Sequence, residues 1–195
     1  CTKGAQRGES EMEGVRRVAD RFADLVAIGT IADVMPLSDE NRLIVSLGLR
    51  RCADGERIGL SALIDAASAP NSDSRPVGAI KPAAKRKKIT SGFIGFSIAP
   101  RINAAGRIST ASKAVELLLA DTHEQATALA QELCEINVRR QVEENRVAEQ
   151  AYEMIEQSVD FDNDRIIVLD GDNWPQGIIG IVSSRVTERY GLPSI

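Results

Sequence analysis

Three stretches of this sequence hold residue types able to do chemistry. The first runs Ala27-Ile28-Gly29-Thr30-Ile31-Ala32-Asp33-Val34-Met35-Pro36-Leu37, where Asp33 is a lone carboxylate among apolar neighbours. An ionised carboxylate is costly to bury unless it is paired or binds a metal. Asp33 therefore reads either as a structural group, capping a backbone end or pairing with Arg42, or as a cation ligand. The second is Pro100-Arg101-Ile102-Asn103-Ala104-Ala105-Gly106-Arg107. Arginine suits phosphate because its planar fork donates two parallel hydrogen bonds. Asn103 adds an amide donor, and the small residues after it leave room for another backbone. The competing reading is a turn whose arginines pair with acidic residues on neighbouring helices. The third is Asn173-Trp174-Pro175-Gln176-Gly177, where Trp174 either covers a pocket or fills the core. The single histidine, His123, falls in the first turn of a long helix, and no Ser-His-Asp or Cys-His set can be built around it.

Charge adds a further signal. The formal net charge is −4, yet between Asp73 and Glu116 lie nine basic residues and no acidic one. The rest of the chain then holds 24 − 9 = 15 basic residues against 28 acidic ones, a balance of −13. A basic segment in an acidic protein points to a polyanion partner. For Lys85-Arg86-Lys87-Lys88 alone, a solvated loop is the competing reading. Aromatics are sparse at 4%, so no stacking surface for bases stands out.

Elements must position these groups. The 195 residues suffice for one large domain, or for one domain and part of another. No apolar run reaches the roughly 18 residues of a membrane span, and the N-terminus lacks an apolar signal core. Cys1, Cys52 and Cys134 lack CxxC or Cys/His metal spacing and read as free thiols of a cytoplasmic protein. The chain starts at Cys and stops in what reads as an opening strand, so it is expected to be an excised internal piece of a longer protein.

Apolar spacing predicts a helix over 11–35, broken in pattern at Gly29-Thr30 and stopped by Pro36. A second helix, capped by Ser38-Asp39-Glu40, should face a core with Leu43, Ile44, Leu47 and Leu49. A third over about 59–67 should turn Leu60, Leu63 and Ile64 inward. Residues 68–88, rich in Ser, Pro, Ala and Lys, read as a loop. Residues 89–98 read as a short strand or an irregular segment, and about 110–120 as a helix. Asp121-x-x-Glu124 and Thr122-x-x-Gln125 then offer two overlapping capping boxes. No Pro or Gly interrupts the chain from there to Gln157. The expected helix is a rod of about 54 Å, read as a spacer with a wetter middle at Asn137, Arg139 and Arg140. A coiled-coil dimer is its alternative. Arg165–Asp170 reads as a buried strand, followed by a loop, a helix over 177–190 closed by Gly191, and the start of another strand. The sequence places Ser183 and Ser184 for close packing.

The blocks GTIADVMPL with ENR soon after, PRINAAGR, the long helix and NWPQGIIGIVSSR occur in that order from about residue 22 to 195. In this combination the chain resembles the RecJ family, single-stranded-DNA-specific 5′→3′ exonucleases of the DHH phosphoesterase superfamily. The resemblance implies an α/β protein that is mostly helical in this piece. Residues 1–120 would be the C-terminal part of a DHH catalytic domain, 121–157 a connecting helix, and 158–195 the start of a DHH-associated nucleic-acid-binding domain.

It implies that Asp33 is a catalytic metal ligand, for two Mn²⁺ (or Mg²⁺) ions in the parent protein. Arg101, Asn103 and Arg107 would hold the phosphates of single-stranded DNA, and Trp174, Gln176 and Gly177 would line the nucleic-acid-facing loop of the second domain. It also implies a monomeric cytoplasmic parent that releases 5′-mononucleotides in DNA repair and recombination. Two departures stand out. Pro175 occupies a position that is commonly His in the family. The aspartate-rich, Asp-His-His and glycine-rich motifs are not in the chain, so the piece by itself is expected to be inactive. An inactive replication scaffold and a phosphodiesterase for short oligonucleotides are the alternatives.

Overall fold

The structure is a computed structural model and describes residues 10–68 and 88–195. The loop expected over 68–88, with most of its basic cluster, lies almost wholly outside the described residues. The described residues divide between two compact units. One comprises Cys1–Pro100 and Glu116–Ala130, the other Arg101–Val115 and Gln131–Ile195.

In the first unit, helix α1 (Glu11–Ala32) starts at a capping box, in which the Ser10 hydroxyl and Glu13 carboxylate each serve the other's backbone N–H. Helix α2 (Asp39–Asp54) packs on α1 through small residues: a Cβ at Gly48 would lie 2.2 Å from the Ala23 carbonyl oxygen. This close crossing shifts the core face away from the expected one and leaves Leu47 and Leu49 half-buried. Leu43 and Ile44 are exposed, while Val45, Gly48 and Cys52 are buried beside Ala23 and Ala27. The branched leucine and isoleucine would hold the two backbones apart, so the small face wins.

Asp24, 7% exposed, is held by Arg57 through bonds of 2.7 and 3.2 Å, and Arg57 also donates to the Arg21 carbonyl. Burial pushes the nearby Cys52 thiol up to about 12, and the Asp24 carboxylate adds to the shift. Helix α3 (Ile58–Ser68) buries Leu60, Leu63 and Ile64, as its spacing predicts. Residues 91–98 are helical, and only Ile89 and Thr90 of the 89–98 segment are irregular. Helix α4 (Ser91–Phe93) starts under a Thr90 side-chain cap and leads straight into a π-helix, Ile94–Ile98, that buries Ile94 and Ile98. Its buried residues lie about one turn apart, on one face, and Phe96 between them is exposed.

Helix α5 (Ala99–Ile108) continues from the π-helix, and α6 (Ser112–Leu118) and α7 (His123–Ser158) follow. The Thr122 hydroxyl accepts from the Gln125 N–H at the start of α7, and His123 is exposed there. The middle of α7 is the wetter stretch that its composition predicts: no residue between Asn137 and Val147 is buried, and Arg139 is exposed. Asn137 is buried and accepts from Arg140, Arg140 donates to Glu144, and Glu144 also accepts from Arg185 of helix α8 (Gln176–Tyr190).

In the second unit, Val147, Ala151 and Ile155 of α7 and Ile178, Val182 and Val186 of α8 enclose Ile167. Here the expected buried strand is corrected. Among the described residues only an isolated parallel bridge joins Ile167 to Ser194, with Ile167 buried and Ile166 and Val168 exposed. Bonds from the Ile167 and Leu169 N–H groups to Pro193 and Ile195 flank it. The parallel sense across α8 is that of a βαβ unit, but no strand forms, so the α/β expectation reduces to a helical architecture with one bridge. The Ser183 hydroxyl donates to the Ser194 carbonyl rather than only packing.

Candidate functional site

The end of α1 carries the first group. The Val34 N–H reaches the Ile31 carbonyl and the Met35 N–H the Thr30 carbonyl, both at 3.1 Å. This is a Schellman ending, in which the residue after the cap takes a left-handed conformation normally given to glycine. Here that residue is Val34, at φ 55°. A β-branched residue held there stores roughly 1–2 kcal/mol of strain, and such strain concentrates at functional sites. Asp33 is the cap residue itself and is exposed, not buried. The last turn of α1 holds no basic residue. A carboxylate at the partly negative end of a helix is unfavourable until a cation joins it, so the corner attracts cations. Among the described residues, however, no group of three or more His, Cys, Asp and Glu is placed to hold a metal ion. Asp33 offers one carboxylate ligand and does not by itself fit a two-metal site.

The motif Pro100–Arg107 is helical, not a turn. Pro100 is the second residue of α5 and follows the π-helix without a break, so the helical path runs through a residue that has no N–H to donate. Ala104 and Ala105 are fully buried, so their small size serves packing and not room for an incoming backbone. A helix turns about 100° per residue, which places Asn103 and Arg107 one turn apart on a shared face. Both are exposed. Arg101 lies about 120° away from Arg107 around the same helix. It is half-buried, with its Nε 3.3 Å from the Cys134 Sγ of α7. The two arginines therefore do not flank one space.

Arg107 meets the third motif, distant in sequence. Its Nη1 donates to the Gly177 carbonyl at 3.0 Å. A Cβ at Gly177 would lie 2.2 Å from the Arg107 carbonyl oxygen, so the first turn of α8 touches the end of α5 backbone to backbone. The Pro175 carbonyl accepts from Ile178 and Ile179 in that turn, and Gln176 is exposed beside it. Trp174 is half-buried, packs on the core of its unit and donates its Nε1–H to Gln150 at 2.9 Å. It shares a shallow pocket with Glu153 and Asp172, whose carboxylates oppose a phosphate there. Arg107, Gln176 and Gly177 are thus brought together, with Asn103 one turn along, while Trp174 is turned toward α7. Cys134 and Gln150, which hold Arg101 and Trp174, carry no sequence signal. Each lies on α7, far along the chain from its partner.

No protein-family model matches the chain. It is 39% identical over 176 residues, 90% of its length, to a Bacillus subtilis protein described as the single-stranded-DNA-specific exonuclease RecJ. It is 39% identical over 88% of its length to the RecJ of Thermus thermophilus, and 35% identical over 88% to that of Escherichia coli. The matches take up 20%, 22% and 28% of these relatives, so the chain spans about a fifth to under a third of their length. Among solved structures, the Mg²⁺ complex of Thermus thermophilus RecJ superimposes with a TM-score of 0.74 at 35% identity, over 90% of this chain and 25% of that one. A manganese-bound exonuclease RecJ gives 0.73, over 90% of this chain and 40% of that one. Over most of its length the chain is homologous to a segment of the RecJ proteins, the family to which its motifs point.

Proposed function

We propose that this chain is part of a metal-dependent exonuclease that degrades single-stranded DNA from the 5′ end and releases 5′-mononucleotides in DNA repair and recombination. The observation that carries this reading is the identity of 35–39% to RecJ exonucleases over nearly the whole chain. In this reading residues 1–120 complete a DHH catalytic domain, 121–157 join it to a nucleic-acid-binding domain, and 158–195 begin that domain. Asp33 supplies one ligand to the divalent ions, Mn²⁺ or Mg²⁺, and the remaining ligands come from outside the described residues. The ions would activate water and offset charge at the scissile phosphate.

Arg107 and Asn103, exposed on one face of α5, contact DNA phosphates, and Arg101 contributes from the adjoining side. Gln176 lies beside Arg107, and Trp174 shapes the loop that presents it. Mutual support comes from the cation-attracting corner at Asp33 and the exposed donors at Asn103 and Arg107. With Asp33 the one metal ligand assigned among the described residues, the 195-residue chain should have no nuclease activity of its own.

The test uses a full-length RecJ-type protein carrying this sequence, 5′-phosphorylated single-stranded DNA and Mn²⁺, beside its Asp33→Ala variant. Mononucleotide release by the first and not by the second supports the reading. Release of short oligonucleotides only, or cleavage confined to short substrates, would instead point to an oligonucleotide phosphodiesterase. No release by either protein would point to a scaffold. Hydrolysis by the 195-residue chain itself would refute the inactive-piece reading.

A further inference from the structure

We infer that Gly177 is the positioning residue for Arg107: it contacts no DNA itself but holds the guanidinium that does. The inference rests on the reading of Arg107 as a phosphate contact and divides the work between these two residues. Two observations carry it. The Gly177 carbonyl accepts from one guanidinium nitrogen, Nη1, at 3.0 Å. Among the described residues, Nε and Nη2 are left for a ligand, and they are the edge of the fork that grips a phosphate bidentately. A guanidinium held by a fixed acceptor gives up less side-chain freedom on binding than one that hangs free in solvent.

The second observation is the lack of space at Gly177. An added Cβ would stand 2.2 Å from the Arg107 carbonyl oxygen and 2.9 Å from its Cα. Those atoms are backbone, so a side chain at 177 must push the first turn of α8 away from α5. The acceptor then moves off Nη1. Glycine at 177 is therefore required by the α5–α8 contact and not by an approaching nucleic acid. Its neighbour Gln176, exposed and without this constraint, is the member of the pair free to face DNA.

The experiment is a double-mutant cycle of Arg107→Ala and Gly177→Ala in the 195-residue chain, read by binding to fluorescent oligothymidylate across a salt series and by urea unfolding. Each single variant is expected to weaken binding about tenfold, the loss of one charge-assisted contact. Each should also flatten the slope of log Kd against log salt by about 0.7, one phosphate contact on a single strand. The double variant should bind no worse than Gly177→Ala alone, and its urea midpoint should match that of Gly177→Ala. Additive losses, or Gly177→Ala binding with the parental affinity and slope, would overturn the inference. If the unvaried chain does not bind, the phosphate reading itself fails, and the urea cycle decides the coupling of the two residues alone. If Gly177→Ala does not fold, hydrogen exchange in the first turn of α8 decides. Faster exchange in Arg107→Ala supports the inference, and unchanged exchange overturns it.

Discussion

Two helix ends in this molecule treat charge in opposite ways. At the end of α1 an acidic side chain, Asp33, stands at the partly negative terminus, beside the strained Val34. At the end of α5 a basic side chain, Arg107, stands where the helix field favours it, and a carbonyl from α8 holds it. The first corner is unfavourable by itself and gains from a cation. The second is stable as it is. The difference teaches that a charge set against its local field costs stability until an opposite charge offsets it. A charge set with the field already serves the fold.

The contrast is sharpest against a carboxylate that is already satisfied inside the same unit. Asp24 is buried and paired with Arg57. Arg57→Ala should lower unfolding free energy by about 3–5 kcal/mol, the usual cost of leaving a buried charge unpaired, as read by urea denaturation. A loss below about 1 kcal/mol would mean that water reaches Asp24 and that the two carboxylates are alike. Asp33→Ala should behave in the opposite way. In a full-length RecJ-type protein it should lower exonuclease activity by about a hundredfold or more, given the several kcal/mol that a metal ligand supports. In the 195-residue chain it should leave stability unchanged or raise it by about 0.3–1 kcal/mol, because a carboxylate is removed from the wrong end of a helix. A clear loss of stability would identify Asp33 as a structural cap.

The thiols give a milder test. Cys52 is buried and its thiol is pushed up to about 12, whereas Cys134 is half-buried beside Arg101. Iodoacetamide at about pH 8 should label Cys134 in the native chain and Cys52 only after unfolding, as located by peptide mass spectrometry. Because the folded Cys52 thiol titrates above the ordinary thiol value of 9.0, its contribution to stability is full below that pH. It is then lost as pH rises toward about 12. Urea midpoints of the parent should therefore fall over this window more steeply than those of Cys52→Ala. The smallest effect is expected at Val34→Gly, which relieves the left-handed strain. It should stabilise the chain by about 1 kcal/mol, and a neutral or negative change would show that Val34 is not strained.

Much of the helical frame was legible before the structure. Helix α3 turns inward the three residues its spacing predicts, and α7 begins at the predicted Thr122 cap and ends at Ser158, one residue past its predicted end. Both signals are local, since periodicity and caps depend on residues within a few positions of one another. The failures share a cause. Leu43 and Ile44 look like a core face, but Gly48 and Ala23 allow a closer crossing that no single-helix pattern reveals. The 89–98 segment holds a π-helix that buries Ile94 and Ile98 on one face, and the loose alternation of its residue types gives no sign of it. Pro100–Arg107 reads as a place where two arginines converge, but a helix there sends them to different sides.

What the sequence determined by itself is chemical and local: which residues can bind phosphate or a cation, where helices start, and which family the ordered motifs resemble. Only the tertiary structure decided which of those residues meet. It seats Gly177 against the backbone of Arg107, residues 70 positions apart. It turns the Trp174 indole toward Gln150, and it leaves Asp33 exposed at a strained helix end. The physical reason is that contact distances of two or three ångströms depend on how whole helices pack. Packing depends on the shape of both partners, and a sequence read one segment at a time supplies only one of them.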